Sequence, residues 1–179
     1  DRWIFSRLAK IVAAVDAAYD NFEFGEITRE LYSFVWNEFC DWYIEFSKAR
    51  LGADADPADR AVCQRNLVFV LGQILRLLHP IMPFVTEQVY GEMPKDADAA
   101  PMLIVAAWPD AGELAAYVDE DAERAIAMVC EVVGAVRSTR ARYGISPKTA
   151  LPLAVKVADE ADAALLLGQE HLVRQLANV

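Results

Sequence analysis

Apolar positions recur along most of this chain at the 3.6-residue spacing of amphipathic helices. Ile4, Leu8, Ile11, Val12 and Val15 predict a first helix over residues 3–20, with Arg2, Arg7 and Lys10 off the stripe. A turn at 21–25 follows. The second helix, 26–51, has Ile27, Leu31, Phe34, Val35, Phe39, Trp42 and Phe46 as its stripe. Tyr32, Trp36 and Tyr43 widen its apolar surface, so it should pack on more than one neighbour. Leu51-Gly52 reads as a glycine stop. Asp56 and Pro57 form an N-cap and first-turn proline. The third helix runs to about Leu78 and is almost wholly apolar, which predicts the central position in a bundle.

Pro80 and Pro83 interrupt the pattern. They predict a stop or kink at His79 and a fourth helix from Pro83 to Met93. Residues 94–118 form a long connection, with a short extended piece at 102–105 and a turn at Trp108-Pro109. A fifth helix starts in the acids Asp119, Glu120 and Asp121, suited to a helix N-terminus. It ends at Tyr143-Gly144. Residues 150–157 alternate (Leu151, Leu153, Val155, Val157) and predict a strand. Two short helices follow, at 159–167 and 169–177. The expected fold is mainly α: a helical bundle with its connection over 1–118, then a small α/β subdomain over 119–179.

Composition narrows the function classes. The chain has 179 residues, 55% hydrophobic and 25% charged, which fits a folded core and excludes a disordered chain. The net charge of -10 argues against nucleic-acid binding spread over the whole surface, because phosphate affinity comes from Lys and Arg. A local basic patch remains open. Residues 87–131 hold eleven acids against two bases, whereas 132–158 hold no acid and five bases: Arg137, Arg140, Arg142, Lys148 and Lys156. Two roles fit Arg137 and Arg140. They complement a helix C-terminus, or they meet phosphates while Tyr143 stacks on a base.

Other chemistry is sparse. Cys40, Cys63 and Cys130 are odd in number and widely spaced, so neither a disulfide framework nor a zinc site is indicated, and a reducing cytosol fits. No uninterrupted apolar run reaches the ~18 residues of a membrane span. His79 reads as a helix-end cap. Asp41 and Glu45, four apart, could bind a metal or share a proton, but no third ligand stands at suitable spacing. A polar seam beside an aromatic core is the simpler reading. Both chain ends lie at helical patterns without an initiator Met, which suggests a piece of a longer protein.

Several stretches are recognisable. DRWI at 1–4, FVWNEFCDWYIE at 34–45, LRLLHPIMPFVTE at 75–87, AWP at 107–109 and VRSTR at 136–140 occur in one order. Across roughly residues 1–145 this resembles the region after the catalytic domain of valyl-tRNA synthetases, members of class I of the aminoacyl-tRNA synthetases. FCDWYIE carries the likeness to the valine enzymes. LLHPIMPF is shared with class I enzymes for other aliphatic amino acids, of which the isoleucyl and leucyl types are nearest.

The resemblance implies an anticodon-binding helical bundle followed by a small α/β subdomain. It implies tRNA-Val and the catalytic and editing domains of the same chain as partners, in a cytoplasmic ligase and without a membrane. The family's HIGH and KMSKS motifs do not occur in these residues, nor do the editing domain, an Arg-, Asn- and Lys-rich preceding helix or a C-terminal coiled-coil arm. The chain alone is therefore expected to be inactive and without a cofactor, ATP and Mg binding to the catalytic domain. Unpaired anticodon bases can be splayed and read on their edges. Asn37, Asp41 and Glu45, spaced i, i+4, i+8, could hydrogen-bond such edges, or could satisfy buried helix termini. Arg2, Arg7 and Lys10 could meet phosphates, as could Arg137 and Arg140. Trp36 and Trp42 read as core. The rival reading is an acidic helical scaffold that receives a partner helix.

Overall fold

The computed structural model describes all 179 residues. They form two compact units, Asp1–Val118 and Asp119–Val179. Both are helical, and no residue is in a β-strand.

In the first unit, α1 (Arg2–Asp20) is the central helix. Nine of its residues are buried, among them Ile4, Leu8, Val12 and Val15. Each fully buried aliphatic side chain stabilises the unit by about 1.5–3 kcal/mol. α1 packs against α2 (Phe24–Tyr32), a π-helical segment (Ser33–Tyr43), α4 (Pro57–Leu78) and α6 (Ala111–Leu114). α4 was expected at the centre, but only Cys63, Val70, Ile74, Leu75 and Leu77 are buried in it. Its other apolar side chains, such as Phe69 and Val62, stay partly exposed. By length and composition alone α4 could cross a membrane; here it packs against α1, α3 (Ile44–Leu51) and α5 (Pro83–Glu92).

The second expected helix is continuous but not uniform. Between α2 and α3 its backbone widens to i→i+5 pairing, a geometry ordinarily confined to single turns. The wider turn shifts the buried line. After Ile27, Leu31 and Phe34, the next buried position is five residues on at Phe39, then Tyr43. Tyr43 therefore enters the core, while Trp36 is 57% exposed. A strict α period from Ile27, Leu31 and Phe34 puts Trp42 on the buried line in place of Tyr43.

Local stops follow side-chain chemistry. The Asp56 carboxylate accepts from the Asp59 amide at 2.9 Å and starts α4 with Pro57. At the α4–α5 corner, His79 Nδ1 lies 2.8 Å from Thr86 Oγ1, and that hydroxyl donates to the Met82 carbonyl. The histidine ring and the threonine hydroxyl together pin the corner the two prolines create. Glu87 of α5 accepts from the amides of Leu103 and Ile104, which starts a 3-10 turn (Leu103–Val105) where an extended piece was expected. Trp108 Nε1 donates to Asp16 of α1 at 2.7 Å and ties down the rest of the connection. Gly52 keeps an extended backbone (φ -60, ψ 161), so it is not the left-handed stop its identity suggests.

Three helices do end in the left-handed region, at Phe22, Gly144 and Asn178. α1 and α7 (Glu120–Tyr143) close with the same pair of bonds. Glu23 N–H donates to Ala18 and Phe22 N–H to Tyr19; Ile145 N–H donates to Arg140 and Gly144 N–H to Ala141. This is the Schellman arrangement, whose left-handed position ordinarily takes glycine. In α1 that position holds a phenylalanine at φ 58. A side chain there costs roughly 1–2 kcal/mol.

The second unit consists of α7, α8 (Glu160–Leu167) and α9 (Glu170–Ala177), with α7 packed on both shorter helices. Arg124 pairs with Asp162 at 2.6 Å. Residues 150–157 are irregular, which corrects the expected strand and with it the α/β subdomain. A strand needs a partner ladder, and everything around this segment is helical. Pro152 also removes a donor. The alternation survives as a one-sided contact: Leu153, Val155 and Val157 line a groove with Val132, Leu167 and Val173.

Candidate nucleic-acid interface

The exposed face of the α2–π–α3 rod carries polar and aromatic groups in one continuous strip. Tyr32, Trp36, Asn37, Asp41, Ile44 and Lys48 all face solvent. Tyr32 and Trp36 are 64% and 57% exposed. Their rings lie 6.4 Å apart and within 16° of parallel. The two rings lie side by side, and both stay largely open to water. Asn37 follows Trp36 directly. Its amide reaches only as far as Ser33 Oγ, at 3.5 Å, and Asp41 stands one turn further. Glu45 forms an ion pair with Lys48. The strip thus offers flat apolar faces beside amide donors and carboxylate acceptors. Single-stranded bases are held by that combination of stacking and edge hydrogen bonding.

The basic positions expected to meet phosphates are more varied. Arg7 is bound internally: Nε and Nη2 donate to the two oxygens of Glu38 at 2.7 and 2.9 Å, with both side chains largely covered. Arg2 is exposed and Lys10 half-buried on α1. In the second unit Arg137 is exposed, and its Nη2 lies 3.5 Å from the Leu176 carbonyl. Arg140 is 4% exposed. Nη1 donates to Ser146 and Thr149 carbonyls at 2.8 Å, and Nη2 to those of Ala177 and Asn178 at 3.1 and 3.0 Å. Its guanidinium gathers the loop after α7 and the end of α9, and faces inward. Arg142 lies beside the exposed Tyr143 ring at 5.9 Å, a basic and aromatic pair on the surface.

A charged network locks one end of the bundle. Arg50 donates through Nη2 to Asp59 at 2.7 Å and through Nη1 to Asp1 at 2.8 Å. Tyr43 O–H also donates to Asp1, at 2.8 Å. The Arg50 hydrogen bond holds the Asp59 carboxyl below its ordinary pKa. Burial pushes the Tyr43 hydroxyl well above its own. These groups fix where α1, α3 and α4 meet, and so fix the frame on which the exposed strip stands.

The sequence alone suggested Asn37, Asp41 and Glu45; it missed the exposure of Tyr32 and Trp36. Their place on the helical wheel, opposite the Ile27–Leu31–Phe34 line, was the signal that could have found it.

Residues 1–156 match the model of a family described as the anticodon-binding domain of tRNA ligase. Along nearly its whole length the chain is also similar to curated valine–tRNA ligases. It is 44% identical over 99% of its residues to that of Lactiplantibacillus plantarum, and 42% identical over 97% to that of Enterococcus faecalis. With the enzyme of Lactobacillus johnsonii it shares 40% over 93%. The matched region spans 19%, 19% and 18% of those proteins, so the chain covers about a fifth of their length.

Proposed function

Because the chain belongs to the family of anticodon-binding domains of tRNA ligases, we propose that it reads the anticodon loop of tRNA-Val for a cytoplasmic valine–tRNA ligase. In that enzyme, ATP-dependent aminoacylation would be carried out by other parts of the protein, and this chain would contribute recognition only. The observation that carries the reading is the Tyr32–Trp36 stack beside Asn37 and Asp41.

The mechanism follows from the residues on that strip. An unpaired base lies against the Trp36 or Tyr32 face, sequence-tolerant because every base has a π-face. Asn37 offers both a donor and an acceptor to a base edge, and Asp41 only acceptors. Together they favour bases that present complementary edges. Arg2, Lys10 and Arg137 are the cations proposed to meet the backbone. Glu45, paired with Lys48, sets the end of the strip. Arg7 supports it from beneath, by holding Glu38 of the π segment. Arg140 holds the loop that carries its basic neighbours and has no direct part in binding. With only Arg2, Lys10 and Arg137 proposed at the backbone, affinity depends on fit more than on charge, and its salt dependence is shallow.

Titration with a tRNA-Val anticodon stem-loop tests this reading. Trp36→Ala should weaken binding by roughly 5- to 150-fold, the range of one base-stacking contact. Asp41→Ala should change which loop sequences bind. Unchanged affinity in both variants would refute the strip as the reading surface.

A further inference from the structure

A second exposed aromatic group lies at the other end of α1, where the RNA reading makes no use of it. Tyr19, Phe22, Phe24 and Trp108 touch in a chain of edge-to-face contacts. Centroids are 5.7 Å apart for Tyr19–Trp108, 6.4 Å for Tyr19–Phe24 and 6.4 Å for Phe22–Phe24. Phe22 is 78% exposed and Phe24 60%. Ordinary folding does not account for the first of these. Its backbone position is one that glycine fills at the end of α7 and asparagine at the end of α9. Phe22 occupies it with its ring turned to water.

Charge identifies what could cover the patch. Residues 11–28 contain Asp16, Asp20, Glu23 and Glu26 and no Lys or Arg. The connection that supplies Trp108 has no base between Lys95 and Arg124. Asp16 already holds the indole N–H, and Asp20 and Glu23 flank the rings in exposed positions. A nucleic-acid phosphate would be repelled here. Aromatic faces rimmed by carboxylates suit an Arg side chain, whose flat guanidinium lies over a ring while its N–H groups reach acids.

We propose that the Tyr19–Phe22–Phe24–Trp108 patch is a docking surface for an Arg-rich polypeptide segment, with Asp20 and Glu23 receiving the guanidinium groups. The surface is separate from the Tyr32–Trp36 strip, and it does not depend on the RNA reading.

The test uses acetyl-hexa-arginine amide as the probe, followed by the Trp108 indole N–H resonance, which Trp108→Phe assigns. The peptide should bind and shift that resonance. Phe22→Asn keeps a residue suited to the left-handed position. It should leave Tm unchanged or raised, and weaken the peptide at least tenfold. Asp20→Asn with Glu23→Gln should also weaken it at least tenfold. Asp96→Asn with Asp98→Asn, which removes the same charge elsewhere, should change it less than twofold. Equal weakening by both charge pairs would reduce the effect to bulk attraction by a net charge of -10 and overturn the proposal. So would undiminished binding to Phe22→Asn, or a matching shift of the Trp108 resonance by an RNA hairpin in the absence of the peptide.

Discussion

Arg140 reaches the carbonyl oxygen of Asn178 at 3.0 Å, so an arginine near the end of α7 closes the end of α9. The same side chain bonds three further carbonyls. Arg140→Ala would leave those groups without their charged donor. At about 1.5–3 kcal/mol for a hydrogen bond to a charged group, its unfolding free energy should fall by roughly 2–4 kcal/mol in the second unit. Arg137→Ala, at an exposed site, should cost about 0.5 kcal/mol or less. Denaturant titration of both variants distinguishes a fold-holding arginine from a surface one.

Acid should loosen the α1–α3–α4 corner. Asp59 has a lowered folded pKa because Arg50 donates to it. A carboxyl of that kind adds stability above its unfolded pKa of about 3.9. The contribution disappears as pH falls through the lowered folded value. Asp59→Asn should therefore be less stable than the parent at pH 7. The difference should shrink below about pH 4, as measured by thermal melts across pH.

Alkali should act through Tyr43. Its hydroxyl is raised by burial, so the folded state retains the proton that the unfolded state loses near pH 10. Its stabilisation is complete below that pH and is lost as pH rises towards the folded value. Tyr43→Phe should show a smaller fall in Tm between about pH 9 and pH 11 than the parent.

Glu87 holds the long connection by two backbone amides. Glu87→Ala should leave α5 intact and speed hydrogen exchange at Leu103 and Ile104 by at least tenfold. Unchanged protection there would mean that packing of Leu103 against Leu75 and Tyr90 orders the turn on its own.

Much of the fold was legible because helix periodicity and end signals are local. Asp56-Pro57, the two prolines after His79, Asp119 and Gly144 all mark real boundaries. The strand at 150–157 was not legible, because alternation records one apolar face and says nothing about a ladder partner. The π segment was missed for a related reason: an α period puts Trp42 on the interior line, whereas the widened turn buries Tyr43; Trp36, read as core for its bulk, is exposed. Among the basic residues, spacing located Arg7 and Arg140 but could not reveal that Glu38 and a set of carbonyls already hold them. Arg137 and Arg140 look alike in sequence, and burial alone separates them.

The central claim is that this chain reads an anticodon with the Tyr32–Trp36 strip. Its most direct test compares a tRNA-Val anticodon stem-loop with the same hairpin carrying a different anticodon, observed by amide and indole NMR shifts of the chain. The account predicts shifts along α2, the π segment and α3, including the Trp36 indole, with at least tenfold weaker binding when the anticodon is changed. Equal binding of both hairpins, or shifts that leave Trp36 and its neighbours untouched, would contradict it.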